Sequence, residues 1–373
     1  MVYSLGNRPK SLSSGKRSLG RTAIQFMETK TILITGANGE IGHGLISYIA
    51  QQPRVRIVAL DMHDLDDKIK GKCARVLIGD ILDTGLLKNI SANHEFDCIY
   101  HLAALLSTKA ERQPQLAHQV NVDGTLYLLE MAVEQARMRG CDIKFLYPSS
   151  IAVYGLPDLE TKRQAGKIKE DQWLCPRTMY GINKLYCEQL GNYYANYYRQ
   201  LDAETPRGRV DFRGLRFPGL ISADTVPTGG TSDFAPEILH HAAQHRPYAC
   251  FVRPDATIPF MAMPDAITAL LQLEAAPRAK LTRQIYNVGS FNPSAEAVLR
   301  LVQPAFPTAE VTFAPDRKRQ SIVDSWPENV DDSAARADWG WTPAYDLKRA
   351  FNEYLIPAVA RRYNQDLGRA IFD

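Results

Sequence analysis

From residue 27 onward, short apolar runs alternate with longer segments whose apolar positions recur every three or four residues. The short runs fall at 31–35, 56–61, 75–79, 96–102, 143–147 and 212–217. Their length and their bounding Gly, Asp and Pro residues predict six strands. Helical periodicity covers 41–52, 113–139 and 178–199; in the second of these it is carried by Leu116, Val120, Leu128, Leu129, Ala132 and Val133. Strands that alternate with helices in this way predict an α/β fold, a doubly wound parallel sheet with helices on both faces. Beyond Gly219 the alternation loosens and Pro and Gly become frequent. Helices are expected at 234–244, 264–275, 294–302 and 346–363, with short strands at 284–289 and 310–313. These predict a smaller C-terminal lobe over residues 219–373 that packs on the mouth of the sheet. The sheet itself is assigned to 27–218, with returning segments around 255–290. The charged stretch 158–171 reads as a solvated loop, and no internal repeat is present.

Composition changes this picture little. The chain has 373 residues, 45% of them hydrophobic and 23% charged, with a formal net charge of +3. Residues 1–26 hold Arg8, Lys10, Lys16, Arg17 and Arg21 and no acid, so the body is close to neutral. A neutral body argues against nucleic acid or an anionic membrane as partner. No apolar run reaches the length of a membrane span. The basic, Ser- and Gly-rich leader would suit a mitochondrial transit peptide. Pro9 and the glycines spoil an amphipathic helix there, so a disordered upstream extension of a cytoplasmic protein is the expectation. The six cysteines are scattered with no CxxC pair, which predicts reduced thiols rather than a disulfide framework or a zinc site. His241 and His245 stand at the spacing of a metal pair beside His240, but no third ligand accompanies them, and no metal is expected.

Two short runs carry the chemistry. Thr35 to Gly42 reads TGANGEIG. Gly36, Gly39 and Gly42 lie between a strand and a helix, where the backbone must turn sharply, approach a pyrophosphate and present amides around Glu40 and Ile41 at the helix N-terminus. The sheet is therefore Rossmann-type, and its ligand a dinucleotide. Asp61 ends the second strand, where an acid accepts hydrogen bonds from an adenosine ribose and repels a 2′-phosphate, which favours NAD over NADP. Asp80, with Ile81, is placed for the adenine amino group or for capping the next helix. Leu102, Ala103 and Ala104 end the fourth strand, where small residues let a dinucleotide lie close, and Phe217 ends the sixth. Asn121 is a poor helix former inside a long helix, suited to bridging two segments at the sheet edge or to a direct role at the cofactor.

The second run, Tyr180 to Lys184, reads YGINK and puts a phenol and an ammonium on one helix face. A nearby cation favours phenolate and makes Tyr180 a usable base. Ser149 and Ser150 follow the fifth strand at the same sheet edge. Ser150 would hold the reacting oxygen while Tyr180 takes its proton, and Lys184 would also donate to the nicotinamide ribose.

TGxxGxxG, Asp61, HLAA, Ser150 and YxxxK together resemble the extended short-chain dehydrogenase/reductases over most of residues 27–290. FPGLISADTVPTGGTSDFA, IPFMAMPDAI and DSWPENVDDSAARADWGW resemble the short-chain-type L-threonine 3-dehydrogenases. That resemblance implies NAD-dependent oxidation of L-threonine to 2-amino-3-oxobutanoate, usually by a homodimer formed through two long helices. It implies substrate contacts from Ser107, Thr231 and Ser232, and a role in closing the site for Trp326. The chain departs from that pattern with Ser149-Ser150 in place of Ser-Thr, with Phe234 in place of Tyr, and with inserts near 159–169 and 202–209. Its SSIAVYG run is closer to the sugar-nucleotide enzymes. The alternatives are thus an NAD-dependent nucleotide-sugar epimerase or dehydratase, and a non-catalytic NAD sensor, which would have no need of the intact Ser150, Tyr180 and Lys184.

Overall fold

The computed structural model describes residues 29–203, 207–227 and 229–365. The basic leader lies outside them. Seven strands form one parallel sheet: β1 (Lys30–Thr35), β2 (Val55–Asp61), β3 (Arg75–Ile78), β4 (Cys98–His101), β5 (Ile143–Ser150), β6 (Val210–Phe217) and β7 (Ile285–Asn287). Their spatial order is β7-β6-β5-β4-β1-β2-β3, every pair parallel. The order reverses between β1 and β4, the switch point at which open α/β sheets bind ligands.

The sequence builds this sheet by burying both faces of its inner strands, while the edge strand β3 stays partly exposed. In β1, Ile32 and Ile34 enter one core and Leu33 the other; in β2, Ile57 and Ala59 part from Val58 and Leu60 in the same way. One face is covered by α1 (Glu40–Ile49) and the helix Met263–Ala275, the other by α2 (Gly124–Arg139) and α3 (Met179–Asn196). A third apolar core lies within the C-terminal lobe and holds α4 (Phe234–Ala243) and Trp326, against which Tyr180 packs.

Two expectations need correction. The run 113–139 is helical from Pro114 to Arg139, but Gln119–Asp123 widens into a π turn. The cause sits at its centre: Asn121 turns its amide onto the backbone of Leu105, accepting from Leu105 N at 2.7 Å and donating to Leu105 O at 3.0 Å. The stretch 158–171 is not a solvated loop. It contains the helix Leu159–Gln164, capped by Asp158, and the strand Lys167–Ile168, which pairs with Asn329–Val330. Lys162 is fully buried because its ammonium donates to Val323 O at 2.9 Å, and burial holds that amine down to about 8. Its charge is satisfied by a lobe segment far along the chain, which no local pattern reveals.

Candidate active site

The glycine turn has the shape a pyrophosphate requires. Gly36 adopts φ +66°, and a Cβ there would lie 2.6 Å from Ala103 N. A Cβ on Gly42 would lie 2.3 Å from Ala37 O. Both contacts are with backbone, so only glycine keeps β1, α1 and the Leu102–Ala104 segment this close. Gly39 is the N-cap of α1 and makes no side-chain cap, which leaves the amides of the first turn facing the cleft.

Asp61 ends β2 and accepts from Asn38 N at 2.9 Å and His63 N at 3.0 Å. Its carboxylate is thus tied to the glycine turn while remaining partly exposed. Asp80 accepts from Leu82 N at 2.9 Å, a local turn; the cap of the next helix is Asp83, which accepts from Leu86 N. Ile81 is buried beneath it. Leu102 N donates to Thr35 O at 3.0 Å and leaves Ala103 and Ala104 at the cleft. Asn121 bridges the segment after β4 to α3, where its amide also donates to Asn183 Oδ1 at 3.3 Å. Phe217 is buried in the core at the end of β6.

Tyr180 occupies the first turn of α3, which Thr178 caps through Gly181 N at 3.1 Å. The Ser150 hydroxyl, which also accepts from Ala152 N at 3.1 Å, sits beside the Tyr180 phenol at the carboxyl end of β5 and favours its ionised form. Lys184 lies one turn along, with its Nζ 5.6 Å from the Tyr180 ring centre and 4.5 Å from that of Tyr147. Its ammonium donates to Pro148 O at 2.6 Å. The expected lowering of the phenol is not what the geometry gives. Burial pushes Tyr180 above its ordinary range, and only the Ser150 hydroxyl pulls it back. Burial also draws Lys184 down, to about 8. Behind them His101 is buried with its ring nitrogens facing Thr35 Oγ1 at 2.8 Å and Thr125 Oγ1 at 2.9 Å; burial holds it neutral, down to about 3.

Ser149 does not line the cleft. Its hydroxyl turns into the core and donates to Glu188 Oε1 at 2.5 Å, because neighbouring residues on a strand face opposite sides. Across the mouth, Thr231 is buried and donates to Ser107 Oγ at 3.4 Å, and Thr108 donates to Gly229 O at 3.0 Å. The lobe therefore reaches the segment after β4 at this point. Ser232 adjoins Gly219, and Arg319 donates to Gly230 O at 2.8 Å from its stack on Phe251. Trp326 is buried in the lobe core, the cluster against which Tyr180 packs. His245, at metal-pair spacing from His241, has its ring nitrogens against Thr308 and Gln365. All six cysteines are free thiols.

Sequence reasoning passed over Glu188 and Arg216. Glu188 lies one turn beyond Lys184 on the same helix face, and Arg216 is one of three charged residues, with Asp211 and Arg213, in a strand buried along its whole length.

Comparison with known proteins agrees with this geometry. Residues 32–289 match the model of the NAD dependent epimerase/dehydratase family. A Bos taurus protein named mitochondrial L-threonine 3-dehydrogenase is 32% identical over 92% of this chain and 86% of its own length. An uncharacterized epimerase/dehydratase of Staphylococcus aureus is 35% identical over 89% of this chain and 98% of its own. The solved structure of a monomeric L-threonine 3-dehydrogenase from a metagenome superposes with a TM-score of 0.77 at 33% identity, covering 89% of this chain and 99% of that one. A parallel seven-stranded sheet, a glycine turn at its switch point and a Ser-Tyr-Lys set at its carboxyl edge thus join with sequence likeness along almost the whole chain: the protein is a member of the NAD dependent epimerase/dehydratase family.

Proposed function

We propose that the protein oxidises the β-hydroxyl of L-threonine to 2-amino-3-oxobutanoate, with NAD as the hydride acceptor. The observation that carries this reading is the grouping of Ser150, Tyr180 and Lys184 at the sheet edge, with Lys184 Nζ 5.6 Å from the Tyr180 ring centre and the Thr231–Ser107 contact closing the same mouth. Relatives named L-threonine 3-dehydrogenase along nearly the full chain support the substrate. When bound, the nicotinamide supplies the site that accepts hydride. Gly36, Gly39, Glu40, Ile41 and Gly42 would hold the pyrophosphate, and Asp61 the adenosine ribose. Asp80, Ile81, Leu102, Ala103, Ala104, Asn121 and Phe217 would border the rest of the cofactor. Ser150 orients the substrate hydroxyl and Tyr180 removes its proton, while Lys184 supplies positive charge beside the phenol. Ser107, Thr231 and Ser232 would hold the amino acid.

The direct test is NADH formation with NAD and L-threonine, run beside D-threonine and a panel of UDP-sugars. NADH from L-threonine alone is expected. Interconversion of a UDP-sugar without net NADH would replace this reading with that of an epimerase.

The pH dependence follows from the two shifts. Tyr180 is held high, so the fraction able to act as base grows as pH rises. Lys184 is held down to about 8, so its ammonium is lost above that pH. kcat/KM is expected to climb from acid, turn over near pH 8 and decline beyond. A profile that is flat through this range would contradict the pairing.

Asp61 is expected to set cofactor choice. Asp61→Asn keeps the shape and removes the charge that repels a 2′-phosphate. The kcat/KM preference for NAD over NADP should narrow by about tenfold, as read from parallel titrations of the two cofactors. An unchanged ratio would remove Asp61 from this role.

For assembly we propose a homodimer through α3. Ile182, Tyr186 and Tyr193 on that helix and Tyr197 at its C-cap form a stripe, each 42–53% exposed, the kind of face a second copy would cover. One solved relative is named as monomeric, so sedimentation is the deciding measurement. Among the described residues no helix is long and apolar enough to cross a membrane. We place the protein in the cytoplasm, or in the mitochondrion if the leader is removed on import.

A further inference from the structure

Tyr180, Lys184 and Glu188 follow one another at single-turn spacing on one face of α3. The first two belong to the proposed chemistry, and the third has no part in it so far. The Glu188 carboxylate is 1% exposed and accepts three hydrogen bonds. Ser149 Oγ donates to Oε1 at 2.5 Å, Arg216 Nε to Oε1 at 2.9 Å and Arg216 Nη2 to Oε2 at 2.6 Å. Ser149, Arg216 and Asn287 are register partners, so they form one row across β5, β6 and β7. The row continues outward. Arg216 Nη1 donates to the Tyr154 hydroxyl at 2.9 Å and to Glu170 O at 2.6 Å, and Tyr154 donates to Asn287 Oδ1 at 2.7 Å. The Glu170 carboxylate accepts from Asn287 N at 3.1 Å and from Arg283 at 2.7 Å. A chain of alternating charge thus runs from the centre of the site to the surface.

Stability does not account for it. A buried ion pair is no more stabilising than well-packed apolar residues of the same volume, because desolvation offsets the attraction. Its placement does suggest a purpose. Ser149 immediately precedes Ser150, and Glu188 follows Lys184 by one turn. We propose that Glu188, locked by Arg216, is a positioning residue for this site: it fixes the end of β5 through Ser149, so that Ser150 stays on Tyr180, and it supplies the buried negative charge that keeps Lys184 an ammonium. The proposal rests on reading Ser150, Tyr180 and Lys184 as the working centre.

The carboxylate nearest Lys184 along α3 is Glu188, one turn away and paired with the Arg216 guanidinium, so that removing its charge leaves Arg216 unpaired. Tyr180 and Cys187 on α3 and Tyr147 on β5 are held neutral, because burial pushes each of them up. His101 on β4 is also neutral. Burial pulls Lys184 down, and Cys187 and Glu188 oppose that pull.

The test uses Glu188→Gln, which keeps the shape and removes the charge. Two readouts are taken across pH in the full-length protein: kcat/KM for L-threonine, and NADH affinity by fluorescence, which needs no substrate and reports the Lys184 ammonium at the nicotinamide ribose. In Glu188→Gln both alkaline limbs are expected to move down by about one pH unit, a roughly tenfold loss at high pH, and Glu188→Asp should restore part of the shift. Ser149→Ala keeps the ion pair; its kcat should fall about tenfold with KM and the alkaline limb unmoved. A merely structural Glu188 would lower yield and melting temperature and leave both limbs in place, and that result would overturn the proposal. If Glu188→Gln does not fold, Glu188→Asp and Ser149→Ala decide, and wild-type limbs with wild-type kcat in both count against it. If the wild-type protein makes no NADH from L-threonine while the NADH limb still moves, the substrate reading fails and the positioning role stands.

Discussion

Replacing Tyr180 with Phe is expected to cut kcat for L-threonine by about a thousandfold while changing NADH affinity by less than about twofold. The ring packs against the lobe core that holds Trp326, and Phe keeps that contact. What is lost is one hydroxyl, the partner of Ser150 and the group that takes the substrate proton. Without it the proton must leave to water from a closed site. The substrate and cofactor contacts assigned to other residues remain, so the loss falls on kcat rather than on binding. Steady-state rates and a fluorescence titration on the same preparation separate the two. A Tyr180→Phe protein that still turned over L-threonine at near wild-type rate would remove Tyr180 from the chemistry, whatever the fate of the other assignments.

Gly36→Ala is expected to abolish measurable NADH binding and to lower stability by about 2–5 kcal/mol. Two costs combine. The residue sits at φ +66°, which a Cβ disfavours, and the new carbon would lie 2.6 Å from Ala103 N and 2.7 Å from Ala103 Cα. Those neighbours are backbone atoms of the segment that leaves β4, so relief requires moving the cleft wall itself. Gly39→Ala is the control. Gly39 has φ −78°, and a Cβ there would meet Gly36 O at 3.2 Å, a contact that a slight shift relieves. Thermal unfolding of the two variants should therefore differ clearly, with Gly39→Ala close to wild type. Equal melting temperatures would mean that the turn is softer than its geometry implies.

The parts of the molecule that could be read from sequence are those whose cause is local. The first six strands stand where apolar runs predicted them, because a short apolar run declares a strand through its own residues alone. The glycine turn was legible for the same reason. Burial that depends on a distant partner was not. Lys162 and Glu170 look like solvated charges until Val323 and Arg283 are brought to them. Ser149 is a different case. Its alternation with Ser150 already allowed only one of the two serines to face the cleft, and choosing between them needed the position of Glu188. Trp326 was assigned to the site through family likeness alone, and the fold buries it in the lobe core. The phenol of Tyr180 shows where spacing misleads: Tyr and Lys share a helix face as expected, but burial outweighs the cation in setting the proton.

The last strand of the sheet carries a consequence for how the protein comes into being. β7 is made from residues 285–287, after the chain has left the sheet to build much of the lobe. Until those residues emerge from the ribosome, β6 stands as an open edge without its outer neighbour. The nascent chain must shield that edge through the whole interval, and the sheet and the lobe complete their folding together rather than one after the other.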